Sequence, residues 1–348
     1  MRQYFVLLLL ALLGALLVST LLTPLIRRVA VSWGALDNPS SRKIHLSPIP
    51  RLGGLAIWSA LWTVAFLAVR MLPDDGRIDF PGTLPELGGI FAGASVILLV
   101  GMADDRRGEM GPLTKLAGQI VACTVLIVFG IKLAVFGVPW LDIPLTYLWV
   151  LGLTNALNLL DNMDGLSAGA TSIAGAFFLL LAGLNGQVLV ALLAAALVGS
   201  CLGFLIYNYN PASIFMGDTG SLSLGFMLAV LGMKLQIHNT QNLSFLIAAL
   251  VLSVPIFDTA FVVWRRVSEG RRITQGGKDH TSHRLVKLGL NQRQAVWVLY
   301  GLSFLGGMTA LIVSQGSRWM LVAIALPFAV LVLSAGWLLA RVKVTAFG

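Results

Sequence analysis

Five polar stretches interrupt an otherwise apolar chain, and each carries side chains suited to handling phosphate or a metal ion. Asp104 and Asp105 stand side by side at the end of an apolar run, with Arg106 and Arg107 behind them and Lys115 further on. Adjacent carboxylates repel, which raises the pKa of one unless a cation sits between them. That suits a Mg²⁺ site or a general base, although two capping charges neutralised by the arginines would have the same spelling. The stretch Asn155 to Leu166 carries Asn155, Asn158, Asp161, Asn162 and Asp164 and no lysine or arginine. On a helix Asn158, Asp161 and Asn162 share a face, and Asp164 lies one turn past Asp161. Acids without a cation at the end of an apolar helix need a metal, a hydrogen-bonded ligand or water.

The stretch Asn208 to Ser221 contains Pro211, Phe215, Gly217, Asp218 and Gly220. Asp218 precedes an apolar run and would serve as a simple N-cap. The flanking glycines also let backbone amides approach an anion at a helix N-terminus, and Phe215 offers a ring for a base to stack on. A long basic loop from Arg265 to Arg293 holds Arg271, Arg272, Lys278, His280, His283 and Arg284. Two histidines three apart beside an arginine can clamp phosphate oxygens. Zn²⁺ would need further Cys or His ligands nearby, and there are none. Asp258 lies seven residues before Arg265 and pairs either with a loop cation or with the polar site. The last stretch runs from Asp37 through Arg42, Lys43 and His45 to Arg51, Gly53 and Gly54, with prolines that fix an extended backbone. Its cations suit phosphate, or anionic lipid at a membrane surface.

The elements that must hold these stretches are set by composition. Of 348 residues, 57% are hydrophobic and only 11% charged, and the mean hydropathy is +0.87. A soluble domain carries roughly 25% charged residues, so a soluble enzyme, a disordered chain and a disulfide-stapled secreted domain are excluded. Cys123 and Cys201 both sit in apolar runs and read as core residues. Apolar runs of about 20 residues, the length that crosses a bilayer, recur. They fall at 4–26, 53–71, 86–102, 113–130, 144–160, 166–184, 187–207, 220–235, 242–264, 293–314 and 318–341. The first reads as a retained helix, because it is too long for a signal peptide and ends in Thr23-Pro24-Leu25-Ile26-Arg27-Arg28. The predicted fold is an all-α polytopic membrane bundle of ten or eleven spans, one domain over 1–348, with the two last spans (293–341) beyond the polar stretches. The loops on one side of the bundle hold 18 of the 24 lysines and arginines. The positive-inside rule makes that side cytoplasmic, with the N-terminus outside and the C-terminus inside.

All five polar stretches fall on that cytoplasmic side. A negatively charged ligand bridged by a metal satisfies both the excess cations and the uncompensated acids, and a nucleoside diphosphate with Mg²⁺ fits both. The chain has no G-x-x-x-x-G-K-[ST] loop and no Rossmann glycine fingerprint, which removes support for ATP hydrolysis and dinucleotide binding.

In these residues the chain resembles the polyprenyl-phosphate N-acetylhexosamine-1-phosphate transferases, relatives of the phospho-N-acetylmuramoyl-pentapeptide transferases. The resemblance rests on R-K-x-H-x-x-P-x-P-R-x-G-G (42–54), Asp104-Asp105, N-x-x-N-x-x-D-x-x-D-G-L (155–166), N-x-x-P-A-x-x-F-M-G-D-x-G-S (208–221), P-I-F-D-T (255–259) and H-x-x-H-R-L (280–285), in that order over 37–285. It implies transfer of a sugar-1-phosphate, GlcNAc-1-phosphate in the branch it looks most like, from a UDP-sugar to undecaprenyl phosphate. UMP is released, and the product starts a cell-envelope glycan such as lipopolysaccharide or teichoic acid. It implies Mg²⁺, with Mn²⁺ as a substitute, and a multi-pass protein of the bacterial inner membrane whose site faces the cytoplasm. No nucleic-acid partner is implied, and a homodimer is left open. Carried over residue by residue, it implies that Asp218 and Asn158 hold the metal and that Asp104 and Asp105 position or deprotonate the lipid phosphate. Asp161, Asp164, Asn208 and Phe215 would hold the uridine and sugar, and Lys43, Lys115, His280, His283 and Arg284 would neutralise phosphates. The sequence departs from many relatives at Ser282, a position that is often His.

Two other readings stand beside this one: muramoyl-pentapeptide transfer within the family, and a transporter or flippase. A transporter would put charged groups near the bilayer midplane in paired halves, whereas here the acids lie at one face and no inverted repeat is evident. Single-cysteine labelling tests the topology: residues placed in 103–112 and 265–292 should react only with reagent on the cytoplasmic side. Labelling of both loops from outside would reverse the orientation.

Overall fold

A computed structural model describes residues 2–37, 47–72, 80–108, 110–237, 244–274, 277–316 and 318–342. In chain order they form α1 (Arg2–Ser32), a two-residue antiparallel hairpin of β1 (Leu36–Asp37) and β2 (Ile49–Pro50), α2 (Gly53–Arg70), α3 (Phe80–Arg107), α4 (Pro112–Val128), α5 (Pro139–Leu160), α6 (Leu166–Leu184) and α7 (Val188–Asn208). There follow α8 (Gly217–Lys234), α9 (Ser244–Val251), α10 (Ser253–Ser268), α11 (Thr281–Lys287), α12 (Gln292–Gln315) and α13 (Arg318–Ala340). The chain is a polytopic helical membrane protein. Eight of these helices are long and apolar enough to cross a membrane, or nine with α9 and α10 taken as one span.

Every predicted span coincides with a helix, and two differ in a way that matters. The run 242–264 is broken, with α9 and α10 bent 77° apart. Pro255 lies in the first turn of α10, where its missing N–H costs least; within a continuous helix it would leave the carbonyl four residues back without a donor. The second is α8. It begins earlier than the apolar run because Gly217 to Ser223 continue the helix, and these polar turns keep it out of the set that could span by composition. Almost all of α8 is nevertheless buried, for it runs through the bundle against α2, α3 and α5.

Small residues allow that central position. A Cβ on Gly101 of α3 would lie 2.6 Å from the Asp218 backbone, and one on Gly54 at the start of α2 would lie 2.0 Å from the Gly220 nitrogen. Helices can approach this closely only where side chains are absent. The turn before α2 is forced: Leu52 has φ 84°, a left-handed conformation that costs a non-glycine residue roughly 1–2 kcal/mol. It lets the amides of Gly53 and Gly54 donate to the carbonyls of Phe215 and Met216 (3.0 and 2.9 Å), while Phe215 N donates back to Pro50 O (2.8 Å). The hairpin end of α2 and the head of α8 are thus laced together by backbone alone.

Gly54→Ala should lower the melting temperature of the detergent-purified protein by several degrees, as an overpacked contact costs about 1–3 kcal/mol. Gly88→Ala, whose Cβ would meet nothing within 4 Å, should leave it unchanged. Equal melting of both variants with wild type would refute the close contact.

Candidate active site

The α8 N-terminus leaves backbone amides without intrahelical partners. The residue before it, Met216, offers no side-chain cap, and Asp218 lies inside the first turn, so Asp218 is not the N-cap its position in sequence suggests. The cap comes from α3. Asp105 accepts from Asp218 N (3.0 Å), Thr219 N (2.9 Å) and Thr219 Oγ1 (2.6 Å). Gly217, at φ 66°, has no side chain there because a Cβ would meet the Asp105 carboxylate at 2.3 Å. A carboxylate at a helix N-terminus is doubly favoured, by hydrogen bonds and by the helix dipole. Its neighbour Asp104 accepts from Met110 N (2.6 Å) and contacts Lys115 (3.0 Å), whose ammonium also reaches Asp218 Oδ2 (2.5 Å). Oxygens of Asp104, Asp105 and Asp218 lie within 4.8 Å of one another.

Beside this cluster opens a cavity of about 570 Å³. Its walls include Asp37, Asp105, Asp161, Asp164 and Asp218 against the cations Arg51 and Lys278. The α5 C-terminus supplies Asn158 and Asp161. Asn158 donates its amide to Ser221 Oγ (2.9 Å), which leaves its carbonyl oxygen without a donor among the described residues. Asp161 follows the last residue of α5 and lines the cavity; its amide donates to Leu157 O (3.1 Å), and its carboxylate has no hydrogen bond or ion pair among the described residues. Burial pushes its carboxyl well above the usual range, and the carboxylates of Asp218, Asp105 and Asp164 push it further. Asp164 instead accepts from Asn210 Nδ2 (2.9 Å) and Ala212 N (3.0 Å), fixing the turn before α8.

The donors left for a cation are oxygens: Asp218, Asp161 and the carbonyl of Asn158. That set suits Mg²⁺ or Mn²⁺ rather than a thiophilic metal. An acid with a raised pKa and no hydrogen-bonding or ion-pair partner among the described residues, at the wall of a cavity richer in carboxylates than in cations, fits a site that receives positive charge.

The structure gathers most of the residues singled out in the sequence. Asp105, Asn158, Asp161, Asp164, Asn208, Phe215, Asp218 and His283 all line the cavity, and Asp104 and Lys115 adjoin it. Lys43 lies outside the described residues. Four residues stand differently from their reading in the sequence. Arg284 is buried away from the cavity and donates to Asp279 O (3.1 Å) and to Leu339 O and Val342 O (3.1 and 2.6 Å) at the end of α13, so its guanidinium is committed to backbone and does not reach a phosphate in the cavity. His280 does not line the cavity either. Its Nδ1 faces Asp258 Oδ2 (2.8 Å), whose other oxygen caps α11 through Thr281 N and Oγ1 (2.8 and 2.6 Å), which settles the partner of Asp258. Asn208 does line the wall, but both ends of its carboxamide are bound to backbone, Gly165 N (3.1 Å) and Ile214 O (3.0 Å). His283 reaches the cavity as a neutral imidazole at pH 7. Burial, with His280 beside it, lowers its pKa to about 4, so it enters as a hydrogen-bonding ring rather than a cation.

Sequence reasoning missed Gln292 as a wall residue, and named Asn162 only as sharing a helix face with Asn158 and Asp161. Gln292 bonds Asn210 (3.0 Å) from the head of α12, where the polar run Asn291 to Gln294 was the available signal. Asn162 accepts from Ser282 Oγ (2.6 Å), so the serine at the often-histidine position ties α11 to the cavity. Arg51 pairs with Asp37 across the hairpin, and Asp279 is held by Arg266 through two bonds of 2.9 Å. Burial alone would raise the Asp279 carboxyl, and the Arg266 guanidinium overcomes that and pulls it down to about 2.

The family model described as glycosyl transferase family 4 matches residues 87–236. A probable undecaprenyl-phosphate N-acetylglucosaminyl 1-phosphate transferase of Bacillus subtilis is 35% identical over 315 residues, 88% of this chain and 85% of that protein. A decaprenyl-phosphate N-acetylglucosaminephosphotransferase of Mycolicibacterium smegmatis is 33% identical, covering 93% of this chain and 87% of its own. A phospho-N-acetylmuramoyl-pentapeptide-transferase of Shouchella clausii is 30% identical, covering 78% and 86%.

Asp161 also makes a prediction about stability. Its folded-state pKa lies above the unfolded value, so protonation favours the folded chain. That stabilisation is complete below about 3.8 and is lost as pH rises through the folded-state value. Asp161→Asn should therefore raise the melting temperature of the ligand-free, metal-free protein by a few degrees at pH 8, with the difference fading towards pH 4. A variant that melts lower than wild type at pH 8 would mean that Asp161 is paired.

Proposed function

The chain belongs to the polyprenyl-phosphate N-acetylglucosamine-1-phosphate transferases of glycosyl transferase family 4, and from that membership we propose that it moves GlcNAc-1-phosphate from UDP-GlcNAc to undecaprenyl phosphate in the bacterial cytoplasmic membrane. The observation that carries this reading is the cavity itself: stretches more than a hundred residues apart meet at one end of the bundle around carboxylates that outnumber their cations. Such a site favours a divalent cation and the diphosphate it bridges over either alone. The basic loops beside the cavity support a cytoplasmic location for that end by the positive-inside rule, on the side where UDP-sugars are found.

In this reading an oxygen of the lipid phosphate attacks the β-phosphorus of UDP-GlcNAc. The bond to the α-phosphate oxygen breaks, and its electron pair leaves with UMP. Asp218, Asp161 and the Asn158 carbonyl would hold Mg²⁺, which when bound neutralises the diphosphate and stabilises the leaving group. Lys115, set between Asp104 and Asp218, brings a cation to the point where two anionic phosphates must meet. Asp105 acts by fixing the α8 turn that carries Asp218. Lys278 and the neutral His283 ring complete the diphosphate end, and Phe215 with the Asp164-held turn shapes the nucleoside end.

Purified protein given undecaprenyl phosphate and a panel of UDP-sugars tests this directly. UDP-GlcNAc should yield UMP and lipid-linked product in equal amounts, chelation of divalent ions should stop the reaction, and Asp218→Ala should lower turnover by about a thousandfold or more without unfolding the protein. Product from the muramoyl-pentapeptide donor alone would move the chain to that branch. No product from any donor would end the reading.

A further inference from the structure

α13 lies beyond the sequence motifs and at the edge of the bundle, yet it is fastened to the helix that carries His283. Arg284, one residue after His283, is 1% exposed, and no carboxylate among the described residues lies within ion-pair distance of it. A buried guanidinium without an acid is costly unless other groups take its charge. Here the last turn of α13 does so. One terminal nitrogen of Arg284 donates to the carbonyls of Leu339, in the last turn, and Val342, two residues past the helix, at the end where the dipole is negative. Its Nε donates to Asp279 O (3.1 Å), and the guanidinium lies 5.1 Å from the Phe261 ring centroid.

Side-chain packing between these two helices is incomplete. Between them and α12 lies an apolar space of about 210 Å³, walled by Leu285 of α11, Leu288 just past it, Leu299 of α12, Phe328 and Leu339 of α13 and Phe257 of α10. The polar tie through Arg284 adds to the contacts across this loosely filled face. At its other end α11 is held by Asp258, through Thr281 and His280, and by Ser282 on Asn162. Pinned by both ends, the seven-residue helix has one orientation in which His283 meets the cavity wall.

We propose that Arg284 is a positioning residue through which the last membrane span sets the place of His283 at the diphosphate end of the site. The proposal rests on the transferase reading for its kinetic test. Lysine keeps the charge but cannot reproduce the planar fork, so it separates position from charge. Arg284→Lys and Arg284→Ala should raise KM for UDP-GlcNAc about tenfold and leave KM for undecaprenyl phosphate within about twofold. Because Arg284 acts through His283, the double variant R284K/H283A should be no worse than H283A alone. Added guanidinium should partly restore R284A. Unchanged KM for the sugar donor, or additive losses in the double variant, would overturn the proposal.

A second measurement needs no turnover and separates failure here from failure of the transferase reading. Carbethoxylation of His283, followed by peptide mass analysis in the folded protein, should run several-fold faster in R284K than in wild type. The same rate in both would refute the positioning role even if the enzyme turns over as expected, whereas absence of turnover in wild type would count against the transferase reading alone.

Discussion

The hydrogen bonds from the head of α8 to Asp105 are the interaction on which the rest depends. They join the end of α3 to a helix buried along nearly its whole length, and they fix the turn that carries Asp218. Around that joint every neighbouring element is cut to fit. Gly217 leaves room for the carboxylate, Gly101 for the α8 backbone, and Gly54 for Gly220. The strained Leu52 turn lays the start of α2 against the same segment. Substituting Asp105 would leave a buried amide, a half-buried amide and a hydroxyl without this acceptor, a penalty of about 1–3 kcal/mol for each orphaned group.

Charge then turns a joint into a site. Once Asp105 is satisfied by α8, Asp104 by Met110 and Lys115, and Asp164 by the Asn210 turn, the carboxylate without a partner among the described residues is Asp161, with Asp218 shared only with Lys115. Carboxylates gathered in this way repel one another; a proton on Asp161 or a cation among them relieves that, and a cation so placed draws in an anion. The chain thus separates two duties that adjacent letters in a sequence blur. Some acids hold the frame, and others are left exposed to whatever the frame encloses.

Much of this was legible in the sequence, for identifiable reasons. Span positions followed from apolar length, and the gathering of Asn158, Asp161, Asp164 and Asp218 followed from their being uncompensated at helix ends. Less was legible where a residue's duty depends on a distant partner. Asp105 and Asp218 look alike on paper, and only the packing of α3 on α8 makes one a cap and leaves the other for a ligand. Arg284 reads as a phosphate clamp until the end of α13, over fifty residues away, takes its hydrogen bonds. His283 reads as a cation until burial makes it neutral. The break between α9 and α10 was written in Pro255 but hidden by the apolar run around it. Gln292 lies in the polar run at the head of α12, which reads as a helix start, and geometry alone brings it to the wall.

The central claim is that one divalent cation sits between the α5 and α8 ends of the cavity. Anomalous diffraction from crystals grown with Mn²⁺ and UDP-GlcNAc addresses it most directly. A single manganese peak bonded to Asp218, with Asp161 and the Asn158 carbonyl around it and the diphosphate on its open side, is the predicted result. A cavity without manganese, or a peak bound elsewhere on the chain, would contradict it.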